Sequence, residues 1–228
     1  MTISTCVFDA YGTLFDVSAA ARRAATEPEF AALSGVWPAL AEDWRRKQLE
    51  YSWLRAVTGD HVDFWQVTQD GLDWALAAAG LTGDTALRQR LLDLYRELDT
   101  YPEVPAMLAA LKSGGRQVAI LSNGAPEMLA DAVASAGIGD RLDAVLSVEA
   151  VGVFKPSARV YDLVGARLGC ARKAVLFVSS NGWDACAAAG YGFATAWVNR
   201  AGAPPDRLGG APDHVLDDLS GIPALAGL

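Results

Sequence analysis

After one short apolar strand, residues 18–98 of this chain run with helical periodicity and contain no second strand candidate. Apolar positions recur at helical spacing over Ala19–Leu33, Trp37–Val57, His61–Ala79 and Asp84–Leu98, with Gly35, Gly59 and Gly80 to Gly83 as breaks. From Tyr101 onward the pattern changes. Helices at Val104–Lys112, Pro126–Ala136, Ser157–Leu168 and Trp183–Ala189 alternate with short apolar strands at Gln117–Leu121, Ala144–Val148, Ala174–Val178 and Thr195–Val198, and a short helix near Leu219–Leu225 closes the chain. Strand–helix alternation of this kind builds a parallel sheet wrapped by helices. The economical architecture is therefore α/β: a doubly wound, Rossmann-like core of residues 1–16 and 99–228, with an all-helical cap of residues 17–98 inserted after the first strand. Gly202–Pro212, rich in Gly and Pro, reads as a surface loop.

Composition narrows the function classes. A hydrophobic fraction of 52% over 228 residues allows a full core, and a formal charge of -8 argues against nucleic acid or an anionic membrane as partner. A small anionic substrate stays compatible with it. Cys6, Cys170 and Cys186 have no C-x-x-C spacing and sit in apolar surroundings, which excludes a disulfide framework or a zinc site and fits a reducing compartment. No apolar run reaches membrane-spanning length and no basic leader precedes the first strand, so the expected location is cytoplasmic.

The first strand, Ile3 to Phe8, ends in Asp9. Open α/β sheets bind ligands beyond the carboxyl ends of their strands, so Asp9 stands where a nucleophile would stand. Gly12 permits a sharp turn that presents N–H groups to an anion, and the Thr13 hydroxyl can hold one Asp9 oxygen while leaving the other free. Read alone, an Asp after a strand is more often a helix N-cap than a nucleophile. Three further strand ends carry polar groups: Ser122 and Asn123 before Gly124 and the helix at Pro126, Lys155 before Pro156, and Ser179, Ser180, Asn181 and Asp184. Each alone reads as a turn, a solvated cation or a first-turn acid. Together they supply what displacement by a carboxylate nucleophile requires: an acid, an anion seat, a cation and a second acid.

These stretches resemble the haloacid dehalogenase superfamily, and within it the (S)-2-haloacid dehalogenases. The matches are F-D-A-Y-G-T-L-F-D at 8–16, W-R-R-K-Q-L-E-Y at 44–51, A-I-L-S-N-G at 119–124, F-K-P at 154–156 and F-V-S-S-N-G-W-D at 177–184. Phosphatases of the superfamily carry a general acid two residues after the nucleophile, where this chain has Tyr11, and hold magnesium with G-D-x-x-x-D, where it has Ser179 to Asp184. A halide leaves without a proton, and a 2-haloacid carries one negative charge, so fixed cations can replace a metal. The resemblance accordingly implies no metal and no cofactor.

It further implies hydrolysis of (S)-2-haloacids to (R)-2-hydroxyacids through an aspartyl ester, with a 2-halocarboxylate and halide as the small-molecule partners and a homodimer as the assembly. Asp9 is then the nucleophile, held by Thr13. Ser122 and backbone N–H groups around Ala10, Tyr11 and Asn123 seat the substrate carboxylate. Arg45 receives the halide with Asn123 beside it; Lys155 neutralises Asp9 and is oriented by Tyr161 and Ser179. Asp184 with Asn181 polarises water, and Tyr11, Leu49, Phe64 and Trp183 form an apolar wall, or else ordinary core. Successive helix residues point about 100° apart, so Arg45 and Arg46 cannot both face the site; Leu49, one turn on, and an apolar face of Leu40, Trp44 and Trp53 favour Arg45. The alternatives are a phosphatase of the same superfamily and a non-catalytic binder of small carboxylates.

Overall fold

The computed structural model describes residues 2–228. In chain order the elements are β1 (Thr5–Phe8), α1 (Ala19–Ala24), α2 (Trp37–Thr58), α3 (Phe64–Ala78), α4 (Thr85–Arg96), α5 (Val104–Ser113), β2 (Gln117–Ser122), α6 (Pro126–Ser135) and β3 (Ala144–Ser147). They continue with α7 (Ala158–Leu168), β4 (Val175–Ser179), α8 (Gly182–Tyr191), β5 (Ala194–Val198), β6 (His214–Leu216) and α9 (Ile222–Leu225). The strands form one sheet in the order β3-β2-β1-β4-β5-β6, parallel throughout. Helices α5, α7 and α8 pack against it. This is the expected α/β architecture.

Chain direction along the sheet reverses at β1, whose Phe8 lies in register with Ile120 of β2 on one side and Val178 of β4 on the other. Such a reversal leaves a crevice at the carboxyl ends of the strands, since the following loops diverge to opposite faces. β1 and β4 are buried along their whole length, which is why both read as continuous apolar runs rather than alternating ones.

Two compact units are resolved. One comprises the N-terminal residues through Phe15, Thr100–Asn123 and Gly137–Leu228, and contains the sheet; the other comprises Asp16–Asp99 and Gly124–Ala136, and is helical. Within the helical unit α6 packs on α4, joined by Arg96 Nη1 to Asp131 Oδ2 at 2.7 Å. Asp63 and Asp84 cap α3 and α4 by accepting from Gln66 N and Leu87 N, both at 2.9 Å.

Three local expectations are corrected. The predicted helix over Ala19–Leu33 breaks after Ala24 and resumes as a 3-10 turn at Pro28–Leu33, because Pro28 holds the preceding Glu27 in extended backbone, with ψ at 126°. Trp53 does not share the buried face of Leu40 and Trp44: it follows Trp44 by nine positions, which turns it about 180° around the helix, and it is 37% exposed. That face continues instead through the buried polar residues Gln48 and Ser52, with Gln48 Nε2 donating to Thr68 Oγ1 and to the Tyr95 hydroxyl, both at 3.0 Å. Beyond the Gly202–Pro212 loop lies β6, an edge strand too short and exposed to show a pattern. Asp213 secures its start by accepting from Thr195 N at 2.8 Å.

Candidate active site

Asp9 follows β1 directly and its backbone N–H donates to Val178 O of β4 at 2.9 Å, which fixes where the side chain begins. The loop then closes on itself. The N–H groups of Thr13, Leu14 and Phe15 all point at Ala10 O, and Gly12 N donates to Phe15 O at 2.7 Å. Gly12 has φ of +87°, a left-handed value that a side chain would strain, and a Cβ there would lie 3.2 Å from Ser180 Oγ. The glycine thus makes the turn, but the N–H groups from Gly12 to Phe15 are engaged inside it and are not offered to an anion as the sequence led us to expect.

Every oxygen of the Asp9 carboxylate has a donor. Oδ2 accepts from Thr13 Oγ1 at 3.1 Å and from Asn181 Nδ2 at 3.0 Å, while Oδ1 accepts from Lys155 Nζ at 3.1 Å. The Thr13 hydroxyl also lies 3.1 Å from Ser180 Oγ and accepts the Ser180 N–H at 2.8 Å. A hydroxyl has one proton, and the charged carboxylate is the stronger acceptor for it.

Lys155 joins Asp9 to a second acid. Its ammonium is 2.8 Å from Asp184 Oδ2, and both Lys155 and Asp184 are removed from solvent. Two features place the lysine: its backbone N–H donates to Asn123 Oδ1 at 2.9 Å, and its ammonium stands 5.0 Å above the Phe177 ring. Asp184 Oδ1 accepts from the Tyr161 hydroxyl at 2.6 Å. Tyr161 is held in turn by Phe177 edge-on, by Tyr191 and by Phe193.

A protein-family model for haloacid dehalogenase-like hydrolases matches residues 3–192. Similar proteins include (S)-2-haloacid dehalogenase 1 of Pseudomonas sp. (strain CBS-3), 43% identical over 223 residues, which are 98% of this chain and 96% of that protein. (S)-2-haloacid dehalogenase 4A of Burkholderia cepacia is 42% identical over 226 residues, 99% of this chain and 96% of its own. The chain belongs to the (S)-2-haloacid dehalogenase family of haloacid dehalogenase-like hydrolases. Among solved structures, the L-2-haloacid dehalogenase of Xanthobacter autotrophicus with chloropropionic acid covalently bound superposes with a TM-score of 0.89 at 39% identity, covering 99% of both chains.

In this family member burial and the neighbouring charges together set the ionisation of the site. Burial alone would depress the Lys155 ammonium, but Asp184 and then Asp9 outweigh it and hold the lysine above its ordinary range, firmly charged. Burial raises the Asp184 carboxyl, and the negative Asp9 adds to the rise against the opposing pull of Lys155 and Tyr161. Burial and the same carboxylate push the Tyr161 phenol well above its usual range, so it is a hydrogen-bond donor and no base.

Two expected pairings come out differently in the dehalogenase-family site. Tyr161 and Ser179 were expected to orient Lys155; Tyr161 donates to Asp184, and Ser179 Oγ accepts from Asn181 N at 3.1 Å. Asn181, expected beside Asp184, donates its side chain to Asp9. Ser122 lies buried at the end of β2, in register with Ser147 of β3. Tyr11 is buried and Trp183 partly so, both in the sheet-bearing unit. Arg45 and Leu49 lie on α2 and Phe64 opens α3, in the helical unit, where Phe64 is buried. Arg46 pairs along α2 with Asp43 at 2.7 Å and Glu50 at 3.4 Å, and stands over the Trp74 ring. Sequence reasoning assigned no role to Ser180, whose N–H fixes Thr13, or to Trp197, whose indole N–H donates to Ser180 O at 3.1 Å. The run Ser179-Ser180-Asn181 carried a signal for the first; the second was indistinguishable from a core tryptophan.

Proposed function

We propose that this hydrolase converts (S)-2-haloacids to (R)-2-hydroxyacids through an ester on Asp9. The observation that carries the reading is the arrangement of the Asp9 carboxylate. Among the described residues, Oδ2 takes two donors and Oδ1 the lysine alone, so Oδ1 keeps a lone pair for attack at C2. The C2–Oδ1 bond forms as the carbon–halogen bond breaks, the halide leaves with the electron pair, and C2 inverts once. Arg45 receives the growing halide charge, beside Asn123. Ser122 and the N–H groups of Ala10, Tyr11 and Asn123 hold the substrate carboxylate, and Tyr11, Leu49, Phe64 and Trp183 wall the site. Residues 1–16 and 99–228 are the core in this reading, and 17–98 the cap that carries Arg45.

Water then attacks the Asp9 Cγ. Asp184 takes its proton, and a carboxyl raised by burial is the better base for that task. Negative charge develops on Oδ2, where Thr13 and Asn181 already donate, so these two serve as oxyanion donors. Collapse expels the 2-hydroxyacid, whose oxygen takes the proton held by Asp184, and the second proton of the water leaves the Asp9 carboxyl for solvent, restoring the carboxylate. Lys155 neutralises Asp9 before attack and Asp184 once Asp9 is esterified, so the charge balance needs no divalent ion. The enzyme works as a cytoplasmic homodimer in this reading.

A single turnover in heavy-oxygen water with excess enzyme and (S)-2-chloropropionate tests it. The label should appear in the peptide holding Asp9 and be absent from the first product, which should be the (R)-2-hydroxyacid, with and without EDTA. Label at C2 in that first product would make water the nucleophile, and chloride release abolished by EDTA and restored by magnesium would overturn the charge balance.

A further inference from the structure

Trp197 lies outside the proposed reacting groups, at the carboxyl end of β5 in register with Ser179 of β4. The residue is 5% exposed, and its Cε2 atom is 3.4 Å from where a Cβ on Gly182 would stand, so the indole lies against the first residue of α8. From that place Nε1 donates to Ser180 O at 3.1 Å. The peptide between Ser180 and Asn181 is thereby held at both ends, since its N–H donates to Ser179 Oγ at 3.1 Å. The two residues that this peptide joins both act on one atom. The Ser180 N–H sits 2.8 Å from Thr13 Oγ1 and turns the Thr13 hydroxyl proton toward Asp9 Oδ2, and Asn181, next in the chain, places Nδ2 on the same oxygen.

We propose that Trp197 is a positioning residue for the ester-hydrolysis half of the reaction, acting through the Ser180 carbonyl on both donors to Asp9 Oδ2. This rests on the aspartyl-ester reading above. In halide displacement, negative charge drains from the Asp9 carboxylate, so donors on Oδ2 gain nothing in that transition state. In hydrolysis the ester carbonyl becomes an oxyanion on Oδ2, and misaimed donors cost rate there. A residue that only supported the fold would slow both steps alike.

The test uses the full chain with Trp197→Phe, and separately with benzothienylalanine at position 197, which keeps the bicyclic shape and lacks the N–H. (S)-2-Bromopropionate is mixed with excess enzyme and rapidly quenched; bromide and the mass of the esterified protein are followed over time. Bromide release should stay within about twofold of wild type. Ester decay should slow roughly five- to tenfold, the effect of one neutral hydrogen bond expressed in a rate, and the esterified fraction should rise. Equal slowing of both steps, or no rise in ester with the isosteric replacement, overturns the proposal. If Trp197→Phe fails to fold, the isostere decides. Failure of the aspartyl-ester reading shows itself separately, as wild-type enzyme that releases no bromide or never gains the mass of the ester.

Discussion

Tyr161 donates its hydroxyl to Asp184 Oδ1 across 2.6 Å, so the phenol reaches the lysine only through the second carboxylate. This bond favours the ionised form of Asp184 in a place where burial favours the neutral one. The base is therefore held usable by a neutral donor that burial keeps protonated.

Tyr161→Phe should move the acid limb of the rate profile upward. Asp184 must be ionised to accept a proton from water, so activity is lost as pH falls through its pKa. Removing a donor to the ionised form raises that pKa further. A pH–rate profile of the variant checks this, and an unmoved or downward-moved limb would remove Tyr161 from the control of Asp184.

Lys155→Met should destabilise the fold by about 3–5 kcal/mol near pH 8, because it leaves two buried carboxylates without their cation. Asp184, already raised by burial, then also loses the opposing pull of the lysine, so the loss should shrink as the pH is lowered to 5 and Asp184 takes up a proton. In the wild type the sign is opposite in origin: a raised lysine contributes fully below its ordinary 10.5 and loses that contribution only as pH climbs through the folded value. Urea unfolding of both proteins at the two pH values measures the difference, and an equal loss at pH 5 and pH 8 would point to lost packing in place of charge.

Arg45→Lys and Arg46→Lys should separate. Arg46 is engaged by Asp43, Glu50 and the Trp74 ring on the surface of α2, and its exchange for lysine should change turnover by no more than about twofold. If Arg45 receives charge that grows on the leaving halide, its exchange should lower kcat by roughly a hundredfold with little change in KM. Steady-state kinetics with (S)-2-chloropropionate checks both, and equal effects would mean that α2 presents its other arginine.

Much of the site was legible because it is punctuated locally. Asp9 follows β1, Ser122 ends β2 and Asp184 opens the helix after β4, while Lys155 is marked by the Pro156 that precedes α7; parallel strands gather their carboxyl ends along one edge of the sheet. The pairings were not legible. Nothing in the spacing of Tyr161, Asn181 and Asp184 says that the phenol turns to one acid and the amide to the other. The break at Pro28 could have been read from the proline itself. Trp53 misled because hydrophobic character was taken for burial without counting turns of the helix, and β6 offered only three residues, held by hydrogen bonds from β5 and not by a pattern of their own.

By itself the sequence determined the alternation that makes a parallel sheet, the long helical stretch after β1, and the chemical types waiting at the strand ends, because periodicity and turn residues act between near neighbours. The tertiary structure alone decided which oxygen of Asp9 carries two donors, which acid Tyr161 serves, and that an indole on β5 anchors the loop after β4. Those relations join residues as far apart as Asp9 and Asn181. They depend on ångström-scale directions of donors and lone pairs, which arise only when distant strands are brought into register.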